Sequence, residues 1–171
     1  QPNGPVEMLL QCQKEGLIAH LGVAGGPIDL MFRFVETGLF EAAISHNRFT
    51  LLNREAEPFW EVCARRGVAA MNAAPYGSGI LAKGPSAFPR YMYGQASPEL
   101  LRRARQMEET CGRYGLPLAA AALQFSLRDA RITSTIVGIT RPERLTETLK
   151  LAQHPIPEEL WAELDSISKQ T

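Results

Sequence analysis

A repeated order of helix, glycine and apolar strand most constrains how this chain can fold. Four predicted helices end at glycines, which are Gly16, Gly38, Gly67 and Gly115. Four apolar strands are predicted between helices, beginning near Leu17, Leu39, Val68 and Ile132. Apolar strands that alternate with helices are typical of a parallel α/β sheet with right-handed crossovers. The spacing leaves two architectures open: a small doubly wound domain, or half of an eight-stranded barrel.

The apolar periodicity and the turn residues place the boundaries of these elements. Helices are predicted over residues 5–15, 28–36, 53–67, 98–114, 117–128 and 157–168, with Asn53 as the cap of the third. Strands are predicted over residues 17–24, 39–45, 68–74 and 132–139, and His20 is expected to be a core histidine. Residues 75–97 are rich in glycine, proline and aromatic residues and are predicted to form a long loop. Such loops in compact domains usually serve a function.

Residues 132–152 join an uncharged strand to the start of a helix. The strand is β-branched and is predicted to be buried, and it leads through Gly138 to a helix capped by Thr140. A helix N-terminus presents unpaired N–H groups and a positive dipole end, so with Arg141 and Arg144 nearby it suits a phosphate. An ordinary connection without a ligand is the alternative. Neither a Gly-x-Gly-x-x-Gly fingerprint nor a phosphate loop ending in Gly-Lys-Ser/Thr is present in the sequence.

Composition narrows the class of protein. The 171 residues contain 18 basic and 18 acidic side chains, and this balance argues against nucleic acid or a membrane surface as partner. The three cysteines, Cys12, Cys63 and Cys111, are far apart and lie in predicted helices, so neither disulfides nor a metal site is expected. We therefore predict a cytoplasmic protein. Because the chain begins at Gln1 rather than methionine, we interpret it as a piece of a longer protein.

Four segments in order along the chain resemble one known family. Residues 75–81, Pro-Tyr-Gly-Ser-Gly-Ile-Leu, resemble the Pro-Leu-x-x-Gly-x-Leu segment of aldo-keto reductases. Residues 136–138, Ile-Val-Gly, followed by Arg144, Glu147 and Thr148, are similar to that family's Ile-Pro-Gly strand with its Arg/Gln and Glu-Asn. Residues 46–52 resemble its Gln-x-x-Tyr-x-Leu-Leu stretch, and residues 16–23 its Gly-Lys-Ile to Gly-Val-Ser strand. The set is most similar to the bacterial sugar or aldose dehydrogenase branch.

The resemblance implies a TIM (β/α)8 barrel in which this chain supplies strands five to eight. It also implies NADP or NAD as cofactor, bound across the carboxyl ends of these strands. The loop after the third strand would lie along the pyrophosphate, the segment after the fourth would hold the adenosine phosphate, and side chains near the second and third strands would contact the nicotinamide. The implied cofactor-binding residues are His46, Asn47, Asn72, Pro75, Tyr76, Gly77, Ser78, Gly79, Leu81, Gly138, Ile139, Thr140, Arg144, Glu147 and Thr148.

Some family positions differ in this sequence. Members that prefer NADP often carry lysine where Gly138 stands, so the choice between NADP and NAD stays open. The Ser-Asn pair expected after the family's fifth strand is Ala24-Gly25 here, and the aromatic residue that stacks on the nicotinamide is replaced by Ala73. The carboxamide contacts would then come from His46, Asn47 or Asn72.

The family's catalytic Tyr, Lys, Asp and His come from its first four strands, which this sequence lacks. We therefore assign no catalytic residue and no metal ligand, and we expect Tyr91 and Tyr93 to pack as part of a substrate lid. Two functions remain. One is an oxidoreductase acting on an aldehyde, ketone or sugar, of which this chain is the cofactor-binding half. The other is an inactive half-barrel that binds nucleotide or assembles with a partner. In both, the uncharged outer strands should pair with the missing half of the barrel or with a second copy.

Overall fold

The computed structural model describes residues 4–169, so the expectation based on Gln1 falls outside the described part. The helices are α1 (Pro5–Lys14), α2 (Ile28–Glu36), α3 (Glu57–Arg66), α4 (Ile80–Lys83), α5 (Pro98–Arg113), α6 (Leu118–Leu127), α7 (Pro142–Ala152) and α8 (Glu158–Ser168). The strands are β1 (Gly22–Gly25), β2 (Ala42–His46), β3 (Ala69–Ala73), β4 (Arg90–Tyr91), β5 (Gly94–Gln95) and β6 (Ser134–Ile136). A short 3-10 turn occupies Gly77–Gly79.

Four of these strands form one parallel sheet whose spatial order follows the chain. The order is β1-β2-β3-β6, and all three pairings are parallel. A doubly wound sheet reverses its strand order at a switch point, and this sheet does not. Right-handed crossovers that always step in the same direction put their helices on the same face of the sheet. The order therefore argues against the doubly wound alternative.

The two faces of the sheet differ in burial, as a sheet with helices on one side requires. In β2 and β3 the alternate residues Ala43, Ser45, Ala70 and Asn72 are fully buried. The residues between them are only partly buried. They form what we call the open face of the sheet, which consists of Ala42, Ile44, His46, Ala69, Met71 and Ala73. The open face is mostly apolar and has no helix packed on it among the described residues.

The core lies between the sheet and the helices and is rich in aromatic residues. Phe49, Trp60 and Phe59 are almost completely buried and contact one another, with ring centroids 6.4 Å apart for Phe49 and Trp60 and 5.1 Å apart for Phe59 and Trp60. Phe125 on α6 reaches the same cluster at 4.8 Å from Phe49. Each such side chain contributes about 1.5–3 kcal/mol by leaving water. This cluster fixes β2, β3, α3 and α6 relative to one another.

The two outer strands are shorter and more exposed than the sequence predicts. β1 begins only at Gly22, whereas Leu17 is 70% exposed. His20 precedes the strand and lies on the surface, where Nδ1 is 2.6 Å from Glu41 Oε2, so the prediction of a core histidine is wrong. β6 has three residues and two exposed positions, so the buried strand expected over residues 132–139 is also wrong for this chain. Both strands have a neighbour on one side only.

Two predicted helix caps are wrong, because both helices begin later in the chain than predicted. Asn53 lies in a turn in which its Oδ1 accepts a hydrogen bond from Glu55 N at 2.8 Å, and α3 begins later, at Glu57. The residue before α7 is Arg141 rather than Thr140, and its side chain makes no capping hydrogen bond. Helix α2 has the predicted bounds, which confirms that prediction. The N-terminus of α7 therefore keeps its N–H groups free of a side-chain cap.

Residues 75–97, predicted as a loop, contain local structure that folds over the carboxyl edge of the sheet. The 3-10 turn and α4 come first, and the antiparallel pair β4 and β5 follows. We call residues 90–95 the ribbon. Its tip is a two-residue turn at Met92 and Tyr93, both with positive φ (47° and 69°). Turns of this kind usually need glycine or asparagine, so surrounding contacts must hold the ribbon in shape.

Candidate functional site

The segments after β3 and β6 leave the sheet side by side. The two strands are parallel neighbours, so their carboxyl ends meet at one edge, where Ala74 N donates to Ile136 O at 3.2 Å. Beyond the strands, Arg144 of the second segment lies close enough to Tyr76 of the first for its positive charge to act on the phenol. Burial raises the pKa of the Tyr76 phenol, and Arg144 opposes that rise. The two segments expected to hold a dinucleotide are thus adjacent in space.

Two glycines in the segment after β3 are required because aromatic side chains of the ribbon and of the residues before it pack against them. Gly77 has φ +55°, and a Cβ built there would lie 2.9 Å from Tyr91 Cε2. At Gly79, with φ +113°, a Cβ would lie 3.3 Å from Phe88 Cε1. The resemblance explained these glycines by the approach of a pyrophosphate. The structure adds a second reason, which is the close approach of two aromatic rings.

Asn47 joins the end of β2 to both the segment after β3 and the ribbon. Its Oδ1 accepts a hydrogen bond from Ser78 N at 3.1 Å, and its backbone O accepts one from the Tyr91 hydroxyl at 2.9 Å. The Ser78 hydroxyl in turn accepts from Met92 N at 3.1 Å. We call these four residues the latch. They hold the ribbon against the carboxyl edge of the sheet without any ligand.

A cavity of about 320 Å³ lies beside the latch. It is lined by Asn47, Ala74, Ser78, Phe88, Arg90 and Tyr93. Within residues 4–169, the non-glycine residues with positive φ are Asn47, Ala74, Ser78, Met92 and Tyr93. Four of these five line the cavity and the fifth belongs to the latch. Backbone strain of this kind costs about 1–3 kcal/mol per residue and tends to occur at functional sites.

Arg48 is a site residue that the sequence reasoning missed. Its Nε donates to Gly26 O at 3.1 Å, and its Nη1 lies 3.2 Å from Met92 Sδ and 3.3 Å from Glu55 Oε2. One half-buried guanidinium thus ties the turn after β1 to the tip of the ribbon. The sequence did contain a signal for this role of Arg48. The arginine lies directly between Asn47 and the apolar residues that follow it, and a charged side chain that is buried there must be paired.

The remaining predicted residues lie in different surroundings. His46 is partly buried at the end of β2, facing Gly26, whose constructed Cβ would lie 3.6 Å from His46 Cε1. Gly138, Ile139 and Thr140 are exposed on the segment before α7. Glu147 is exposed on α7, and Thr148 beside it is partly buried. Gly138, Ile139, Thr140 and Glu147 thus face solvent in this chain.

Asn72 lies outside this group and is fully buried on the helix side of β3. Its Nδ2 donates to Phe49 O at 2.9 Å and to Ser126 Oγ at 2.8 Å, and Ser126 Oγ lies 2.7 Å from Thr135 Oγ1. These contacts connect the sheet to α6. A carboxamide contact from Asn72 therefore does not fit this geometry, because a strand alternates its side chains and Asn72 points away from the open face.

Neither the two buried thiols nor the clusters of titratable side chains in the described residues favour nucleophilic or metal chemistry. Burial raises the pKa of Cys63 and of Cys111 to about 11, so both thiols stay protonated near neutral pH. Residues 4–169 contain no group of three or more His, Cys, Asp or Glu side chains placed to hold a metal ion. The helices among these residues include none long and apolar enough to cross a membrane.

Together, the singly wound parallel sheet and the ligand-sized cavity at its carboxyl edge define an α/β protein with a candidate binding site above the strand ends. The aldo/keto reductase family model matches residues 5–169. The chain belongs to the aldo/keto reductase family, as the resemblance in the sequence indicated.

Individual relatives agree with this assignment. The chain is 34% identical over 158 residues to D-threo-aldose 1-dehydrogenase of Pseudomonas sp, covering 91% of this chain and 48% of the relative. It is 28% identical over 164 residues to pyridoxal 4-dehydrogenase of Microbacterium luteolum, covering 95% of this chain and 48% of the relative. The chain therefore spans about half the length of these relatives. Its sequence fits the bacterial aldose dehydrogenase branch.

A solved structure shows the same fold. The holo form of aldo-keto reductase AKR11C1 from Bacillus halodurans superposes with a TM-score of 0.75 at 16% identity, covering 96% of this chain and 55% of that one. At this identity the likeness concerns the fold alone. The parallel four-stranded sheet of this chain thus belongs to the α/β barrel class of its family.

Proposed function

We propose that this chain is the cofactor-binding half of an NAD(P)-dependent oxidoreductase that acts on an aldehyde, a ketone or a sugar. The observation that supports this most is the placement of the segments after β3 and β6. They leave paired parallel strands at one edge, with Arg144 near Tyr76. In α/β folds, ligands bind at the carboxyl ends of the strands. One dinucleotide could contact both segments at once.

The residues at this edge fit the charge of such a cofactor. Helix α7 presents N–H groups without a side-chain cap, and Arg141 and Arg144 lie at its start. A helix N-terminus with two arginines favours phosphate groups. When bound, the dinucleotide supplies or accepts the hydride, and the chain's own residues bind and orient it. The glycine at position 138 leaves the choice between NAD and NADP open.

We further propose that strands β1 and β6 are the edges of a half-barrel, corresponding to strands five and eight of the complete fold. The open face of the sheet would then be the barrel interior, and the free sides of β1 and β6 would pair with the first half. Met8 and Leu9 on α1 and Leu145 and Leu149 on α7 are exposed apolar side chains that the first half could cover. A cytoplasmic location fits the free cysteines, of which Cys63 and Cys111 are buried.

The test is cofactor binding to the complete natural polypeptide that contains this chain. We expect NADPH or NADH to bind, measured by the change in cofactor fluorescence. Replacing Arg144 with Ala should weaken binding of the preferred cofactor by about 1.5–3 kcal/mol, the value of one charge-assisted contact. Arg105, exposed on α5, provides the matched control, and its replacement with Ala should change nothing. If the unaltered protein and the Arg144→Ala variant bind the cofactor equally well, Arg144 is not part of the cofactor site.

A second function, an inactive half-barrel that binds nucleotide or assembles with a partner, is favoured by one observation. The open face and both sheet edges are uncovered within residues 4–169. The size of the purified natural polypeptide separates the two functions. A complete barrel that reduces or oxidises a sugar supports the oxidoreductase. A stable polypeptide of 171 residues that binds dinucleotide without turnover supports the inactive half-barrel.

A further inference from the structure

A chain of hydrogen bonds crosses the sheet on its helix side, behind the candidate site. Asn72 Nδ2 donates to Phe49 O at 2.9 Å and to Ser126 Oγ at 2.8 Å, and Ser126 Oγ lies 2.7 Å from Thr135 Oγ1. Asn72 and Thr135 are register partners on the neighbouring strands β3 and β6. We call Asn72, Ser126 and Thr135 the buried network, in which Thr135 is only partly buried.

The buried network reaches the backbone at the base of three segments of the candidate site. Phe49, whose carbonyl it holds, follows Asn47 of the latch by two positions. Asn72 is the last residue but one of β3, and Thr135 precedes Gly138 by three positions. The network therefore joins the segments after β2, β3 and β6 from the side opposite the open face.

Stability alone does not account for the asparagine in this network. Asn72 and Ser126 are fully buried, and Asn72 Oδ1 has no hydrogen-bond partner within residues 4–169. A buried polar atom without a partner destabilises the folded state. An apolar side chain at position 72 would avoid that cost, but it could not hold Phe49 O. The two hydrogen bonds donated by Asn72 are thus kept at the expense of an unpaired oxygen.

Helix α6 gives the network a rigid support. The helix is apolar and mostly buried, and its ten residues include two polar side chains, Gln124 and Ser126. Gln124 Nε2 donates to Leu151 O at 2.8 Å and to His154 O at 2.7 Å, at the C-terminal end of α7 and just beyond it. Both polar side chains of α6 therefore hold elements that flank residues 137–141, Ser126 at β6 and Gln124 at the end of α7.

Strand β6 needs such support more than the inner strands do. It has three residues and, within the described part of the chain, a neighbouring strand on one side only. Residues 138–141, to which it leads, are exposed. A ligand that contacts the segments after β3 and β6 together requires a fixed distance between them, and a small misplacement of a binding group weakens the interaction.

We propose that Asn72, Ser126 and Thr135 are positioning residues that fix the segments after β2, β3 and β6 relative to one another. The proposal rests on the proposed oxidoreductase function and deepens it. The three side chains face the helices, so they act through the backbone and do not touch a ligand. Their loss should therefore weaken dinucleotide binding, and kcat at saturating cofactor should stay within about twofold of the unaltered value.

The experiment uses the complete natural polypeptide and two threonines on the same side of the β3–β6 pair. Thr135→Val removes the network hydroxyl and keeps the size of the side chain, whereas Thr135→Ser keeps the hydroxyl. Thr133→Val is the matched control, because the Thr133 hydroxyl accepts from Ala70 N at 3.2 Å, at the amino end of the pair. Binding of NADPH and NADH is measured by cofactor fluorescence. Amide hydrogen exchange of the unliganded protein is measured over residues 46–50 and 136–141.

Thr135→Val should weaken dinucleotide binding and raise exchange in both stretches by roughly 2- to 10-fold, the value of one hydrogen bond. Thr135→Ser should restore both readouts. Thr133→Val should lower the thermal midpoint as Thr135→Val does, and it should leave binding and exchange in these stretches unchanged. Ser126→Ala should act like Thr135→Val or more strongly. The double variant Ser126→Ala/Thr135→Val should bind no more weakly than Ser126→Ala, because both changes remove the same bond.

Equal effects of Thr133→Val and Thr135→Val on binding and exchange would overturn the proposal, and so would a rise in exchange with unchanged dinucleotide binding. If the unaltered protein binds dinucleotide and Thr135→Val changes neither readout, the oxidoreductase function stands and the network is not a positioning device. If the unaltered protein binds no dinucleotide, the proposed function fails. The exchange measurements then decide by themselves whether the network positions the segments after β2 and β6.

Discussion

The two sides of the candidate site are built in different ways. On the side of β2 and β3, the latch closes a network of hydrogen bonds among Asn47, Ser78, Tyr91 and Met92. On the side of β6 and α7, the segment around Gly138 and Ile139 is exposed and has no such contacts. The first side is shaped entirely by residues of this chain. If the proposed half-barrel is right, the second would depend on the neighbours that the first half of the barrel provides at β6.

The latch side is therefore preorganised for binding, whereas the α7 side must first be ordered. A site held in place before binding loses little entropy when its ligand arrives, whereas an exposed segment must be ordered by the ligand or by a partner. We therefore expect substitutions on the latch side to affect this chain directly. Substitutions on the α7 side should act mainly in the complete protein.

The largest difference in unfolding free energy is expected between substitutions of two glycines, Gly77 on the latch side and Gly138 on the α7 side. Gly77→Ala places a side chain in a left-handed backbone 2.9 Å from Tyr91 Cε2, which should cost about 2–4 kcal/mol of unfolding free energy. Gly138→Ala meets nothing within 4 Å and should stay within about 0.5 kcal/mol. Urea unfolding of the complete polypeptide measures both. Equal effects of the two substitutions would show that the latch side is no more tightly packed than the α7 side.

The next largest effect on unfolding free energy is expected at the exposed apolar face of α7. Leu149 is 54% exposed here, so Leu149→Ser should change the stability of this chain alone by about 0.5 kcal/mol or less. In the complete protein the same change should cost about 1.5–3 kcal/mol, because a covered leucine leaves water. Leu30 on α2, 41% exposed, serves as the control and should be neutral in both forms. A neutral Leu149 variant in the complete protein would mean that α7 stays uncovered.

A smaller effect is expected from one hydroxyl of the latch. Tyr91→Phe removes the hydrogen bond to Asn47 O and leaves its acceptor without that donor, which should cost about 0.5–1.5 kcal/mol. Tyr93, 77% exposed, makes no hydrogen bond through its hydroxyl among the described residues, so Tyr93→Phe should be silent in stability. Thermal unfolding of the two variants gives the comparison. An equal cost in both variants would show that the cost does not come from the hydrogen bond to Asn47 O.

The smallest effect appears only at alkaline pH. Burial raises the pKa of Tyr91 and of Tyr76 above the ordinary tyrosine value. A group whose pKa is higher in the folded state stabilises that state below the unfolded pKa and loses this contribution as pH rises through the folded pKa. We therefore expect stability to fall above about pH 10. Ultraviolet titration should show late-ionising phenols, and Tyr91→Phe should remove one of them.

The sequence predicted the order of elements well because that order depends on local signals. The apolar face of α2 and the glycines at helix ends are properties of short segments, and the structure has α2 at its predicted bounds. The lengths of β1 and β6 were predicted poorly for the opposite reason. A strand persists only where a neighbour pairs with it, and Leu17 and Ile139 have none in this chain.

The candidate site shows the same contrast between features set by local sequence and contacts between distant residues. The placement of the two motif segments side by side at the carboxyl edge could be predicted, since parallel strands bring their ends together and the motifs marked two of them. The contacts of Arg48 and Arg90 with the ribbon could not be, because they join residues more than forty positions apart or depend on a turn at Met92 that its residue types do not favour. Asn72 was misplaced because alternation along a strand decides its direction, and the residue type alone does not reveal that.

The strand order β1-β2-β3-β6 also has a consequence for how the chain acquires its fold. β1, β2 and β3 each pair with the next of these strands in the sequence, whereas β6 pairs with β3 across residues 74–133, so only this last pairing has to wait for a distant part of the chain. Folding that proceeds through nearest neighbours lowers the entropy lost in closing each loop. During synthesis the sheet could therefore grow one strand at a time, with each finished strand serving as the template for the next.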